Sequence, residues 1–173
     1  MSAPLITRLD PSSFDGAIDA LADLLVDAVD GNASVGFHRP LRREDAASWW
    51  RSLRPEIVGE RTLVLVARVG ERIVGTVQLR LAQFPNGRHR ADVAKLLVHR
   101  DVRRRGIARA LMTELESLAR SRARTLLVLD TETDSEADRL YRALGWTFVG
   151  EIPGYAEHPD GSRPTSFFFK EVR

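Results

Sequence analysis

Apolar residues in the first third of the chain recur every three or four positions, which is the period of an amphipathic helix. From Ser13 onward, the apolar positions that follow this period are Phe14, Ile18, Leu21, Leu25 and Ala28. Gly31 and Asn32 come directly after them and favour a helix end. A second, weaker helix is predicted over Glu44–Glu60, and Pro55 is placed to divide it because proline disrupts a helix interior.

In the middle of the chain the period shortens to two, the alternation of a strand with one buried face. Thr62–Val69 and Ile73–Leu81 show this alternation on either side of a tight turn at Gly70 and Glu71. The other predicted strands are Leu5–Leu9, Ala91–Val98, Thr125–Asp130, Thr147–Glu151 and Thr165–Lys170. The other predicted helices are Gly106–Ala119 and Ser135–Leu144.

This order of elements predicts an α/β (α+β) fold. The central strands form a meander that should pair antiparallel, whereas the strand–helix–strand unit from Ala91 to Asp130 should be a parallel crossover. We therefore expect a mixed, mostly antiparallel central sheet of about seven strands with about four helices on both faces. No repeat or Pro/Gly/Ser-rich linker divides the chain, so residues 1–173 are interpreted as a single domain.

Composition narrows the chemistry. The chain contains no cysteine, which excludes disulfides, thiolate metal sites and a covalent acyl-cysteine intermediate. Its histidines, among them His38, His89 and His99, do not combine with Asp or Glu in a metal-ligand spacing, so no metal is expected. Polar residues stand near the N-terminus and no apolar run has the length of a membrane span, which predicts a cytoplasmic protein.

The segment Lys95–Met112 carries the clearest sign of chemistry. An apolar strand leads into a basic loop, and a helix opens at Gly106. Helix N-termini offer unpaired N–H groups and a partial positive charge to an anion such as a pyrophosphate. Gly106 and the small Ala108 would allow close approach of the backbone, with Arg103 three residues before that glycine.

Taken alone, this pattern has other interpretations. Arg103, Arg104 and Arg105 also suit a solvated turn, and a nucleic-acid patch is a further interpretation, although no aromatic residues accompany the run. The loop matches neither the P-loop pattern nor the dinucleotide-binding glycine pattern.

Two aspartates are candidate proton acceptors. Asp92 lies on a predicted strand whose even-numbered residues, Asp92, Ala94, Leu96 and Val98, should share one face. Asp130 is predicted to end the next strand at the carboxyl edge, where open sheets place ligands. Both could line one cleft, or each could be an exposed strand-end charge.

With its flanking strand and helix, the basic loop is followed about thirty residues later by SEADRLYRALGW, Ser135–Trp146. Together with the preceding meander, this arrangement resembles the GNAT superfamily of N-acetyltransferases over nearly the whole chain. The resemblance implies a loop that holds the coenzyme A pyrophosphate, a preceding strand that pairs with pantetheine, and Tyr141 as the acid beside the thioester sulfur. The implied contacts to acetyl-CoA are Leu96, Leu97, Val98, Arg103, Arg104, Arg105, Gly106, Ile107, Ala108, Arg109 and Ser135.

Ser135 enters that set because the sequence departs from the family at its neighbour. Many family members carry an asparagine seven residues before the tyrosine, where this chain has Asp134. A carboxylate cannot donate a hydrogen bond to a pantetheine carbonyl, so Ser135 is the alternative donor.

Four segments resemble a narrower group, the tabtoxin resistance acetyltransferase and its relatives: NASVGF, FPNGRHRADVAKLLV, LVLDTETDS and VGEIPGYAEHPDGSRPTSFFFK. This second resemblance implies that Asp92 and Asp130 serve as catalytic carboxylates, with Glu132 as a further candidate. The implied acceptor-binding residues are Ser34, Val35, Gly36, Phe37 and Tyr155. The last of these lies in a loop around IPGYAEHPDG that also contains His158.

The sequence thus predicts transfer of an acetyl group from acetyl-CoA to a primary amine of a small molecule. Direct attack in a ternary complex, in a resistance or detoxification role, is expected. A protein N-terminus or lysine as acceptor, and a non-catalytic module that binds coenzyme A or nucleic acid, are the alternatives. Neither nucleic acid nor a membrane is expected as a partner, and the sequence leaves a homodimer open.

Overall fold

A computed structural model describes residues 4–173. Its strands are β1 (Leu5–Arg8), β2 (Thr62–Val69), β3 (Arg72–Leu81), β4 (Arg90–Val98), β5 (Leu126–Glu132), β6 (Thr147–Ala156) and β7 (Arg163–Glu171). They form one seven-stranded sheet in the order β1-β2-β3-β4-β5-β7-β6, in which only the β4–β5 pair is parallel. The predicted fold class is confirmed.

Helices cover both faces of the sheet. The helices are α1 (Pro11–Asp30), α2 (Arg43–Ser52), α3 (Arg54–Val58), α4 (Ile107–Ser121) and α5 (Glu136–Ala143). The first three share one apolar cluster on one face, and the last two share the other cluster. There are five helices rather than four because the predicted Glu44–Glu60 helix is divided, with Pro55 in the first turn of α3. None of the helices in residues 4–173 is long and apolar enough to cross a bilayer.

A bulge in β4 changes which side chains share a face. Between the register pairs Thr76–Leu97 and Gln78–Ala94, β3 has one residue and β4 has two, and the first of these two, Lys95, adopts a left-handed backbone with φ 53°. An extra residue reverses the alternation of side chains. Odd-numbered residues before the bulge and even-numbered residues after it therefore face the same side of the sheet. Ala91 and Val93 join the α4 cluster before the bulge.

The prediction that Asp92, Ala94, Leu96 and Val98 share a face is therefore wrong. Leu96 and Val98 pack against the α4 cluster, whereas Leu97 is buried in the α1 cluster. Asp92, on the opposite face from Val93, belongs to the α1 side. No glycine or proline in β4 marks the position of the extra residue.

The same strand separates from β5 soon after the two meet. Their pairing covers only Arg90–Asp92 against Leu126–Val128, although β4 continues to Val98 and β5 to Glu132. Beyond Val128, β5 remains paired with β7 on its other side. The two parallel strands thus diverge, and an opening lies between them at their carboxyl ends.

Candidate active site

The loop between β4 and α4 leads into a helix start whose first amides are available to an anion. Gly106 is the N-cap residue and has a left-handed backbone with φ 77°, and space is open where a Cβ would stand. The first helical bond of α4 runs from the Ala110 N–H to the Gly106 carbonyl. The amides of Ile107, Ala108 and Arg109 therefore precede the helical ladder and point along the helix axis toward the loop.

Two arginines hold this loop in place. The Arg100 backbone N–H and side chain both donate to the Asp27 carboxylate, at 3.0 and 2.5 Å, which fastens the loop to the end of α1. Arg103 Nε donates to the Val98 carbonyl at 3.1 Å. Arg103 is predicted to lie beside an anion, and its side chain also stabilises the turn after β4.

Asp92 and Asp130 lie on the same face of the sheet, as predicted. Asp92 is the register partner of Val128, and Asp130 is two residues further along β5. Leu127 and Leu129 are buried in the α4 cluster, so the even positions of β5 face the α1 side together with Asp92. Asp130 does not end its strand, however, because β5 continues to Glu132.

Burial at Asp130 favours the protonated form more than in an ordinary aspartate. Partial removal from water raises the pKa of Asp130, nearby Lys95 opposes this shift, and the negative charge of Asp92 adds to it. A carboxylate with a raised pKa is a better proton acceptor than a free aspartate, which is the property that a general base requires.

Tyr141 lies in α5, only 5% exposed, against Trp146 and Phe168. Burial raises the pKa of its hydroxyl, and the charge of Asp130 raises that pKa further. Its phenol therefore stays protonated throughout the pH range of ordinary assays. Such a group can donate a proton but cannot start as a base, and its response to Asp130 places the two residues in one electrostatic neighbourhood.

Two cationic residues that were not predicted as site residues from the sequence also lie on this face. Arg80 is the register partner of Asp92 on β3, and Lys95 occupies the β4 bulge. Burial, with a further contribution from the neighbouring Arg80, lowers the pKa of Lys95 to about 8 against an opposing effect of Asp130. One signal was available in the sequence, since Lys95 is one of only two lysines in a chain otherwise supplied with arginine.

The predicted acceptor loop is fastened to this cation. Lys95 Nζ donates to the Val35 carbonyl at 2.8 Å and lies 5.9 Å from the Phe37 ring centroid. Gly36, with φ 88°, passes so close that a Cβ there would stand 3.6 Å from Nζ. Ser34 is partly buried in the same segment. These four residues therefore flank the charged cluster.

Tyr155 reaches the same face from a strand rather than from the predicted loop, because β6 extends to Ala156. Its ring packs edge-on against Phe167 with centroids 5.3 Å apart, and Phe167 is the register partner of Asp130. The ring of His158 contacts that of His38, so the segments after β6 and after α1 meet.

In the turn between β5 and α5, Glu132, Asp134 and Ser135 all make hydrogen bonds within the protein. Glu132 is paired with Arg163 at 3.0 Å, which makes it a poor candidate base. Asp134 has φ 60° and donates its backbone N–H to Asp138. Ser135 caps α5 by accepting the Asp138 N–H at 3.1 Å. Its hydroxyl also lies 3.5 Å from that of Thr131, and when Thr131 is the donor the Ser135 proton is open to another acceptor.

Within residues 4–173 no group of three or more His, Asp or Glu side chains is arranged to hold a metal ion. The site therefore consists of an anion-binding helix start, an opening between strands, and a face bearing two carboxylates and two cations.

The sequence also matches a family model over more than half of its length. Residues 22–146, which span the segment from α1 to the end of α5, match the acetyltransferase (GNAT) family. The chain belongs to this family. The predicted superfamily is thereby confirmed, whereas the narrower resemblance to the tabtoxin resistance group stays a prediction.

Among relatives of this GNAT protein, N-acetyltransferase 8B of Rattus norvegicus is 36% identical over 88 residues, 50% of this chain and 40% of the relative. The matching part is thus well under half of that protein. A candidate acetyltransferase from Salmonella typhimurium, yncA, was solved with its cofactor acetyl-CoA; it has a TM-score of 0.78 at 20% identity and covers 99% of this chain and 95% of its own.

A candidate phosphinothricin N-acetyltransferase has a TM-score of 0.80 at 15% identity, with 99% of each chain covered. At these low identities the structural likeness shows that the fold is shared. It does not assign an acceptor, which has to be argued from the residues of the GNAT chain itself.

Proposed function

We propose that this protein is an N-acetyltransferase that moves an acetyl group from acetyl-CoA to a primary amine of a small, amino-acid-like molecule. One observation carries the proposal. Asp92 and Asp130 share a sheet face beside the opening between β4 and β5, and Tyr141 lies within the electrostatic influence of Asp130. A base for the amine and an acid for the leaving group thus flank one opening.

The residues present fit acetyl-CoA. Gly106 has a left-handed backbone with open space above it, and the amides of Ile107, Ala108 and Arg109 are free to take the pyrophosphate. The β5-facing edge of β4 after Asp92 has backbone groups to offer the pantetheine arm, with Leu96, Leu97 and Val98 along it. Arg104 and Arg105 follow Arg103 in the loop, and Ser135 retains a hydroxyl proton on the far side of the opening. Acetyl-CoA, when bound, supplies the acetyl group as an activated thioester.

The chain's own residues then have defined roles. Asp130, directly or through a water held by Asp92, accepts the proton of the ammonium, whose ordinary pKa of about 10.4 keeps it from attacking unaided. The free amine attacks the thioester carbonyl while both molecules are bound. Tyr141 gives its phenolic proton to the departing thiolate and is reprotonated by the proton that the nitrogen loses as the amide forms. Ser34, Val35, Gly36, Phe37 and Tyr155 enclose the acceptor, which adds the effect of proximity.

The narrower resemblance to the tabtoxin resistance group supports a role in resistance or detoxification. The first test is calorimetry of acetyl-CoA binding, up to millimolar ligand, to the purified protein. The second is free-thiol release from acetyl-CoA with a panel of amines that includes tabtoxinine-β-lactam. We expect binding, and thiol release with small amino-acid-like amines. No binding at millimolar acetyl-CoA, or modification of peptides with silence across small amines, would contradict the proposal.

A further inference from the structure

Three hydrogen-bond donors lie at adjacent positions on the sheet face that carries Asp92. Gln78 and Arg80 are two residues apart on β3, so their side chains leave the strand on the same side. Their β4 register partners are Ala94 and Asp92, and Lys95 comes directly after Ala94 in the bulge. An amide, a guanidinium and an ammonium are thus grouped within three residues of Asp92 along β4 or at the β3 positions paired with this segment.

The two cations of this group make no direct ion pair. In the described part of the chain, neither Arg80 nor Lys95 lies in ion-pair contact with a carboxylate, although Asp92 and Asp130 are near enough to affect their pKa values. Both side chains are partly buried. Loss of water lowers the pKa of each, and the charge of Arg80 lowers that of Lys95 further. The two aspartates offset this effect only at a distance, so both cations keep N–H groups to donate to a bound carboxylate.

Gln78 provides an independent observation. Its side chain is fully buried, and its Oε1 accepts two bonds from Arg80, from Nε at 3.0 Å and from Nη2 at 2.7 Å. These bonds fix the orientation of the amide, because only the oxygen can accept them. The Gln78 Nε2 group is then left buried without an acceptor. Buried polar groups are normally paired, so this donor also calls for an anionic or carbonyl oxygen.

Lys95 joins this group to the acceptor loop. Its ammonium donates one of three N–H bonds to Val35 and lies 5.3 Å from the Trp49 ring centroid, which leaves two N–H groups for other acceptors. A ligand held by Lys95 would therefore sit between the Val35–Phe37 segment and the two aspartates.

We infer that Gln78, Arg80 and Lys95 form a subsite for a carboxylate, so that the acceptor is an amino acid whose amine and carboxylate are separated by only a few bonds. This inference rests on the proposed function. Asp92 and Asp130 attract the ammonium end, and the carboxylate end binds to Gln78 and Arg80 on β3, about 5 Å across the sheet from β4, together with Lys95 in the β4 bulge. A single negative charge suits the site better than a phosphate dianion because both aspartates are close by.

The first experiment compares matched acceptors with the unaltered protein. Proteinogenic, β- and ω-amino acids are each assayed for thiol release from acetyl-CoA beside their primary amides and their decarboxylated amines. We expect kcat/KM to fall at least 100-fold when the best amino acid loses its carboxylate charge. If the amide or the plain amine reacts equally well, the subsite is refuted while the acetyltransferase proposal stands. If no amine releases thiol, the proposed function itself fails.

The second experiment uses Arg80→Gln and Lys95→Met. Each should raise KM for the amino acid more than tenfold and lower kcat/KM for its amide by a much smaller factor, so that the preference for the carboxylate collapses. Arg72→Gln, an exposed arginine at the start of the same strand, is the matched control. An equal loss on acid and amide would mean that the cations only support the fold, which would overturn the inference. Because the first experiment needs no variant, misfolding of either protein would not shield the inference from refutation.

Discussion

The two ends of the site are built in opposite ways. The donor end is local: Val98, the arginine loop and Gly106 follow one another along the chain, and the helix that begins there supplies the binding amides. The acceptor face is assembled from β3, β4 and β5, whose contributions Arg80, Asp92 and Asp130 meet only through strand register. Local sequence therefore specifies the donor end, whereas pairing of distant strands specifies the acceptor face.

This difference has a practical meaning. If a single turn carries the groups that bind acetyl-CoA, a family can retain this acetyl donor by retaining that loop. The acceptor face depends on which side chains stand at a few register positions, and any of them can change without disturbing the loop. Variants at the two ends should accordingly separate into those that affect the donor and those that affect the acceptor.

The largest effect is expected when both carboxylates of the acceptor face are neutralised. Asp92→Asn combined with Asp130→Asn should lower kcat by roughly 10²–10⁴ because no base remains for the ammonium. The dissociation constant for acetyl-CoA should be almost unchanged, as the donor loop is intact. Glu114→Gln, an exposed carboxylate on α4, is the control for steady-state kinetics. Retention of full turnover in the double variant would remove both aspartates from the reaction.

A smaller loss is expected for Tyr141→Phe. The phenol is kept protonated by burial and by Asp130, so its proposed role is donation to the thiolate. Because a thiol with a pKa of about 8.5 leaves fairly well unaided, we expect a fall in kcat of roughly ten- to a hundredfold with acetyl-CoA affinity nearly intact. Pre-steady-state thiol release measures the step, and circular dichroism checks the fold. Unaltered turnover would leave Tyr141 as a packing residue only.

Donor binding can be tested with two glycines that share a left-handed backbone. Gly106 (φ 77°) and Gly70 (φ 57°) both have open space for a Cβ, so Gly106→Ala and Gly70→Ala carry similar strain of about 1–2 kcal/mol. Only Gly106→Ala should also weaken acetyl-CoA binding, about tenfold, which corresponds to about 1.4 kcal/mol. Calorimetry and thermal unfolding separate the two effects. Equal acetyl-CoA affinities in both variants would argue against the α4 start as the anion site.

The smallest effect concerns stability and reports on Lys95. Its pKa in the folded protein is about 8, below the ordinary 10.5, so between these values the unfolded chain binds more protons. Stability therefore rises with pH in that interval. Chemical unfolding of the wild type and of Lys95→Met from pH 7 to pH 10.5 should show the wild type gaining roughly 1–3 kcal/mol relative to the variant, since a pKa lowered from 10.5 to about 8 corresponds to roughly 3 kcal/mol before solvent screening. A difference that stays constant with pH would mean that the ammonium is not destabilised by its surroundings.

The sequence alone was sufficient for most of the fold and for the donor loop. The change of period from helix to strand located the elements, and the residues from Arg103 to Ala108 are contiguous, so their spacing survives without knowledge of tertiary structure. Ser135–Leu144 was placed to within one residue at each end because Ser135 acts as its cap. Such features depend on near neighbours in the chain.

The parts that sequence reasoning missed depend on contacts between distant strands. The bulge at Lys95 has no glycine or proline to mark it, and without it the faces of Leu96 and Val98 were assigned wrongly. Arg80 gains its significance only by standing opposite Asp92, twelve positions later. Tyr155 was expected in a loop because Pro153 and Gly154 precede it, yet pairing with β7 extends the strand past them.

Because β4 and β5 separate soon after they meet, the edge of β4 beyond Asp92 can pair with a bound molecule. A pantetheine arm laid along the β5-facing edge of β4 would supply the missing strand partner, so the folded state would be completed by its own donor molecule. The melting temperature should then follow the acetyl-CoA concentration, with a gain of about 2.7 kcal/mol at a hundred times the dissociation constant. Slower amide hydrogen exchange along residues 93–98 when acetyl-CoA is added would show at the level of single residues that binding stabilises the fold.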